Sequence, residues 1–157
     1  MSWLSNHSLE RLVHRFASER TRQAFYGAVA IDQLPAIVDE RPWIAIVNTQ
    51  ESHLPGAHWL CLFIDSDGSG EVFNSTGRPP PPKVSLWMNK QCRHKWKYNT
   101  LTYQTPGTST CGAFVLYVVL HRLCQRTLTD TLRVFSSNTL SNDVYVTDFF
   151  HMLSNRQ

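Results

Sequence analysis

Thr110-Cys111-Gly112-Ala113-Phe114-Val115-Leu116-Tyr117-Val118-Val119-Leu120 passes from a polar loop into a segment that is apolar on every side. With its continuation to Arg126 the run is too long for an ordinary strand, and a helix that is apolar all round has to be buried. The stretch predicts a central helix on which the rest of the chain packs, with a cysteine at its entrance. A thiol in that position feels the positive end of the helix dipole, which favours the thiolate. A lowered thiol pKa is what a cysteine nucleophile needs, and Gly112 has no side chain to obstruct a carbonyl approaching the sulfur. A buried structural thiol is the competing reading.

Around this helix the chain offers enough material for one domain, residues 1–157, with no repeat or linker that would divide it. Hydrophobic residues make up 42% and charged residues 17%, a balance that excludes a disordered chain. No stretch has the length of a membrane span, and the N-terminal residues lack a secretory pattern, so a soluble, unexported protein is expected. Four cysteines, Cys61, Cys92, Cys111 and Cys124, lie far apart without a CxxC pair, which argues against a metal site and a disulfide framework. Cys61 and Cys124 are expected in the core. The net charge is +3, but the residues between Glu71 and Asp130 contain eight Lys and Arg and no acid. That segment therefore carries +8 and the remainder −5 (3 − 8), an asymmetry that points either to a polyanionic partner or to a solvated basic face.

Upstream, Leu9, Leu12, Val13, Phe16 and Ala17 recur at helical spacing behind Ser8 as N-cap, with Glu10 in the first turn. Trp43–Val47 reads as a buried strand, and His58–Ile64 as a second. Asp65-Ser66-Asp67-Gly68-Ser69-Gly70 has turn chemistry, so Glu71–Asn74 returns antiparallel and brings Asn74 close to His58. Pro79 to Pro82 form a stiff connector, with a proline-recognition ligand as the lesser reading. A short helix over Lys83–Lys90, a strand over Tyr98–Gln104, and helices over Leu128–Phe135 and Val144–Leu153, the last capped by Ser141 or Asn142, complete the pattern. The class is α+β: a mixed sheet packed against a buried helix that carries the nucleophile at its N-terminus.

A thiolate nucleophile requires a general base. His58, at the mouth of a strand, is better placed than His53, which lies in the preceding loop. Asn74 can accept a hydrogen bond from the imidazole and hold its tautomer, as in a cysteine-histidine-asparagine arrangement. Gln104, seven residues before Cys111, can offer its amide to an oxyanion together with the Cys111 main-chain N–H.

These residues carry a resemblance. Ala45-Ile46-Val47-Asn48-Thr49, the loop to Gly56-Ala57-His58-Trp59, Phe73-Asn74-Ser75-Thr76-Gly77, and Gln104 leading to Cys111-Gly112-Ala113-Phe114 resemble the adenovirus maturation protease, adenain. More distantly they are similar to the clan that holds the ubiquitin-like-protein proteases. The similarity runs from about Phe25 to His121, and the Gln-to-Cys spacing of seven fits adenain better than the cellular branch. The resemblance implies a viral cysteine endopeptidase with Cys111 as nucleophile, His58 as base, Asn74 in the place of an acidic orienter and Gln104 at the oxyanion hole. Gly112 and Trp59 would line the substrate groove, with Trp59 packing beneath the site.

By the same resemblance, viral capsid or core precursors cut after small residues such as glycine are the substrates. No metal or small-molecule cofactor is implied. An activating viral peptide, disulfide-linked through Cys92 in an exposed basic and aromatic stretch, and DNA along Lys83, Lys90, Arg93, Lys95 and Lys97 are the expected activators. The protein would act as a monomer, without a membrane, in the virion and the host cell nucleus. Asn74 departs from the family pattern, because it orients His58 without adding a negative charge. Glu71 cannot substitute, since its side chain points to the other face of the strand. Two alternatives stand beside the endopeptidase: a protease acting on ubiquitin or a relative, and a catalytically weak module binding nucleic acid or capsid protein.

Overall fold

A computed structural model of the chain describes residues 4–156. Five strands form one mixed sheet in the order β1 (Phe25–Ala30), β2 (Trp43–Asn48), β3 (Trp59–Ile64), β4 (Gly70–Phe73) and β5 (Trp96–Tyr98). The two outer pairs, β1 with β2 and β4 with β5, are parallel, and the inner pairs are antiparallel. Every residue of β2 and β3 is buried, because helices cover both faces of the sheet. Side chains alternate between those faces. Ile44, Ile46, Cys61, Phe63 and Phe73 join the core on one side, while Ala45, Val47, Leu60, Leu62 and Val72 join the core on the other.

The first face is filled by α4 (Cys111–Leu123), the expected central helix, flanked by α1 (Asn6–Phe16), α5 (Leu128–Leu132) and α6 (Thr139–Asn155), while α2 (Glu19–Arg22) is a single turn between α1 and β1. Eleven residues of α4 are buried, and Leu116 is 0% exposed. Removing a fully buried leucine side chain from such a core costs about 2–5 kcal/mol. Leu116→Ala is therefore expected to lower the urea midpoint without changing the slope of the transition. The opposite face is covered by α3 (Pro82–Gln91) through Val84 and Met88. Proline at the first position of α3 is favourable, because its missing N–H would have no partner there.

Several local expectations shift. The N-cap of α1 is Ser5, which accepts from the Ser8 N–H, so Ser8 lies inside the first turn. Glu10 reaches across to accept from the Ala28 N–H (2.9 Å) and ties α1 to β1. Strand β1 has no counterpart among the expected elements, since Gly27, at φ 145°, breaks its alternation. The strand expected over Tyr98–Gln104 is instead the short β5, after which the chain leaves the sheet. Helix α4 stops at Leu123, three residues short of Arg126, because Gln125 adopts a left-handed φ of 65°. Cys124 consequently lies exposed at the helix end and not in the core, whereas Cys61 is fully buried. Helix α6 begins earlier than expected, capped by Asn138; Ser141 donates its N–H to that cap and Asn142 turns inward to the Tyr103 carbonyl.

Candidate active site

Strand β3 begins beside the N-terminus of α4, and the chain just beyond β4 runs alongside both. His58, Asn74 and Cys111 are thereby brought together from three parts of the sequence. His58 reaches its place through a loop held by Asn48, whose Oδ1 accepts from the N–H of Gln50 (2.9 Å) and of Ala57 (3.2 Å). Gly56 makes that loop possible: it sits at φ 93°, and a Cβ there would meet the Asn48 amide at 2.8 Å.

Asn74 is fixed on every side. Its main-chain N–H donates to Asn99 Oδ1 (2.8 Å), and Asn99 Nδ2 donates to its carbonyl (2.6 Å). The side-chain Nδ2 donates to the Arg78 carbonyl (3.0 Å), which leaves Oδ1 as the atom facing the imidazole. His58 Nε2 lies 2.8 Å from that oxygen. Since Asn74 Oδ1 can only accept, Nε2 must carry the proton, and the other ring nitrogen, Nδ1, is left to take a proton from the sulfur.

His58 and Cys111 act on each other's ionisation through hydrogen bonding and charge. Burial works against ionisation of the Cys111 thiol. The His58 bond and charge, with the main-chain N–H groups of Trp59 and Gly112, outweigh it and hold the thiol below its ordinary range. Burial likewise opposes charge on His58, and its bonds to Cys111 and Asn74 raise it overall. Cys61 is moved the other way, well upward, by burial alone. Iodoacetamide should therefore modify Cys111 before Cys61, with a rate that persists to lower pH than for a free thiol. In His58→Ala the apparent thiol pKa should move up, as read from the alkylation rate against pH. An unmoved profile would contradict the bond.

The pair opens into a cleft of about 410 Å³ lined by Asn48, Gln50, His58, Trp59, Thr108 and Cys111, among others. Gly112 lines this cleft as well, but the side on which it would carry a Cβ is closed. Leu4 occupies it, and a Cβ on Gly112 would lie 2.7 Å from the Leu4 side chain. Trp59 is buried below the cleft and donates its indole N–H to the Leu4 carbonyl (3.1 Å), so the segment before α1 forms one wall.

Gln104 is placed differently from its expected role. It is buried outside β5, its Oε1 accepts from Ser75 Oγ (2.6 Å), and its Nε2 donates to the Thr108 carbonyl (2.8 Å). Its amide thus anchors the loop before Cys111 instead of pointing an open donor at the sulfur. The donors beside the sulfur are main-chain N–H groups, including the unpaired ones that begin α4. Glu71 is engaged with Arg122, at 3.5 Å, and takes no part in the site. Asn99, Ser75 and Thr110 hold the site together without having stood out in the sequence. Each works through a main-chain or side-chain bond to a residue distant along the chain, and a linear pattern carries no trace of that.

The basic candidates lie apart from the cleft, except Lys83, which pairs with Glu51 at its rim. Lys97 is 4.0 Å from Glu71, while Lys90, Arg93 and Lys95 are exposed where α3 runs into β5. Cys92 is half-buried against Gly70, not exposed as expected, and burial raises its thiol despite the opposing charge of Arg41. Among the described residues no cluster of His, Cys, Asp and Glu is arranged to hold a metal. Nor is any helix long and apolar enough to cross a membrane.

No family model matches the chain. Over 90 residues it is 34% identical to the cysteine protease S273R of African swine fever virus. It is 33% identical to the protein of a second isolate of that virus, named SUMO-1 cysteine protease S273R. These matches take in 50% of the chain and 33% of each relative, so the aligned part spans about a third of the curated proteins. Among solved structures, the crystal structure of the African swine fever virus pS273R protease superposes with a TM-score of 0.61 at 19% identity, covering 89% of this chain and 64% of that one. A selenomethionine form of the same protease gives 0.61 at 20% identity, covering 91% and 66%. The chain therefore shares the α+β cysteine-protease fold of pS273R, with Cys111 at the N-terminus of its central helix.

Proposed function

We propose that the chain is the catalytic part of a viral cysteine endopeptidase. The observation that carries this reading is the chain of contacts from Cys111 through His58 to Asn74, in which the tautomer is fixed so that the free ring nitrogen serves the sulfur. His58 Nδ1 takes the Cys111 proton, and the thiolate attacks the carbonyl carbon of the scissile bond. The developing oxyanion is met by main-chain N–H groups at the start of α4. As the tetrahedral intermediate collapses, the amine leaves with the proton from His58 and a thioester remains. His58 then removes a proton from water, the hydroxide attacks the thioester, and Cys111 departs as thiolate.

Two substrate classes follow. Viral precursor proteins cut after small residues such as glycine suit a groove narrowed by Leu4 and Trp59. Ubiquitin-like conjugates are the second class, favoured by the SUMO-1 protease name of a relative. Wild type and Cys111→Ala, incubated with fluorogenic peptides ending in Gly-Gly or Gly-Ala and with full-length ubiquitin-like conjugates, separate them. Preference for the conjugates selects the second class. Absence of Cys111-dependent cleavage of any substrate overturns the enzyme reading.

Activation by a viral peptide and by DNA belongs to the same proposal. The exposed Lys90, Arg93 and Lys95 are the residues to which a polyanion would bind. Binding there should weaken as salt rises, and more steeply in wild type than in Lys90/Lys95→Ala.

A further inference from the structure

Asp143, on the second turn of α6, is 6% exposed, and its two carboxylate oxygens both face the loop that delivers Cys111. Oδ2 accepts from the Thr105 N–H (3.2 Å) and Oδ1 from the Thr110 hydroxyl (2.7 Å), one at each end of the loop. Thr105 is tied again to α6 through the Thr139 hydroxyl (3.0 Å). A carboxylate is costly to bury unless it is hydrogen-bonded, and both of these bonds go to the loop before Cys111.

Thr110 is the residue before Cys111 and stands at the N-cap of α4. A threonine there ordinarily accepts a hydrogen bond from the second or third helical N–H, which here belong to Gly112 and Ala113. It does not: its backbone is at φ −83° and ψ 0°, outside the extended region of a capping residue, and its side chain makes no cap. Asp143 holds the hydroxyl elsewhere, and the α4 N-terminus is left without a side-chain cap directly at Cys111. Gln104 secures the same loop from the other side, at the Thr108 carbonyl.

We propose that Asp143 is a positioning residue that withholds the Thr110 hydroxyl from the end of α4 and so keeps its main-chain donors available to the Cys111 thiolate and to the oxyanion. The inference rests on the endopeptidase reading for its catalytic meaning, but the reactivity of the thiol can be measured whether or not a peptide is cleaved.

The test compares wild type, Asp143→Ala, Thr110→Val and the double variant. The readouts are iodoacetamide alkylation of Cys111 at pH 7, kcat and KM on the Gly-Ala peptide, and thermal melting. Asp143→Ala leaves the hydroxyl with Thr108 Oγ1 (3.2 Å) alone, able to turn to the helix end, and should lower alkylation and kcat at least tenfold, with KM changed less than threefold. Thr110→Val loses the tie between the loop and α6 but has no hydroxyl with which to cap, and its alkylation and kcat should fall by less than in Asp143→Ala. The double variant should recover at least threefold over Asp143→Ala, although it melts no higher. A double variant no more reactive than Asp143→Ala would overturn the proposal, as would full reactivity in Asp143→Ala. If Asp143→Ala does not fold, Asp143→Leu, which keeps the bulk and offers the Thr110 hydroxyl no acceptor, carries the same comparison. Normal alkylation without cleavage by wild type would mark failure of the endopeptidase reading alone.

Discussion

Cys111→Ala should lower peptide hydrolysis by about 10⁴-fold or more while leaving the melting temperature nearly unchanged. The reason is the division of labour at the site. The thiolate supplies the covalent step, and what remains without it is binding and oxyanion stabilisation, worth about 10³-fold over water in comparable hydrolases. Cys111→Ser should be almost as poor, because a hydroxyl is far less acidic than a thiol and His58 has only the neutral Asn74 behind it. His58→Ala should cost a similar factor, and Cys111→Ala/His58→Ala should cost little beyond either single change, since the two residues act as a unit. The measurement is single-turnover hydrolysis of the best glycine-containing peptide, with thermal melting as control. Losses that simply multiplied in the double variant would mean that His58 does not act through Cys111.

The second large effect concerns Asn74. In Asn74→Ala the imidazole loses the acceptor that fixes its tautomer, Thr76 loses the acceptor for its N–H and hydroxyl, and the Arg78 carbonyl loses a donor. A fall in kcat of about 10²-fold is expected, within the range by which a mis-set general base slows catalysis. Asn74→Asp is not a simple improvement. A carboxylate beside Nε2 would stabilise the imidazolium, and a raised His58 pKa moves the alkaline limb of the rate profile to higher pH. Its second oxygen, however, would face the Arg78 carbonyl oxygen where Nδ2 now donates, and repulsion there should pull the side chain out of line. The expected result is kcat between those of wild type and Asn74→Ala, with the alkaline limb shifted upward. An unmoved limb in the pH profile of kcat/KM would contradict the contact between Asn74 and His58.

Asparagine in this position is consistent with how the rest of the site is wired. Asn99 clamps both main-chain groups of Asn74, Arg78 fixes its amide and Thr76 donates twice to its Oδ1, so the side chain is held by neutral hydrogen bonds where a carboxylate would need a different surround. The thiol is lowered all the same, because His58 and the main-chain donors act on it directly. Orientation, more than charge, is what this site obtains from its third member.

Much of this was legible in the chain. The uniform apolarity of 113–120 required a buried helix, and the helix put Cys111 at its entrance. Turn residues between two apolar runs required the β3–β4 hairpin, which brought His58 towards Asn74. Other expectations failed where local chemistry met a distant competitor. Ser8 and Asn142 have the right type for caps, but Ser5 and Asn138 precede them, and Asn142 is claimed by Tyr103. Gln104 has the right type for an oxyanion donor, but Ser75 and Thr108 engage its amide. Cys124 follows an apolar helix, but the turn at Gln125 leaves it outside.

The sequence by itself determined the secondary elements that carry Cys111, His58 and Asn74 and singled out those three residues, because periodicity and turn chemistry act between near neighbours. Only the tertiary structure decided which nitrogen of His58 faces the sulfur, that Leu4 walls the cleft, and that Asp143 on α6 holds the loop before Cys111. Those outcomes depend on which hydrogen-bond partner lies closest after the chain has packed, and groups 33 to 55 residues apart become neighbours only then.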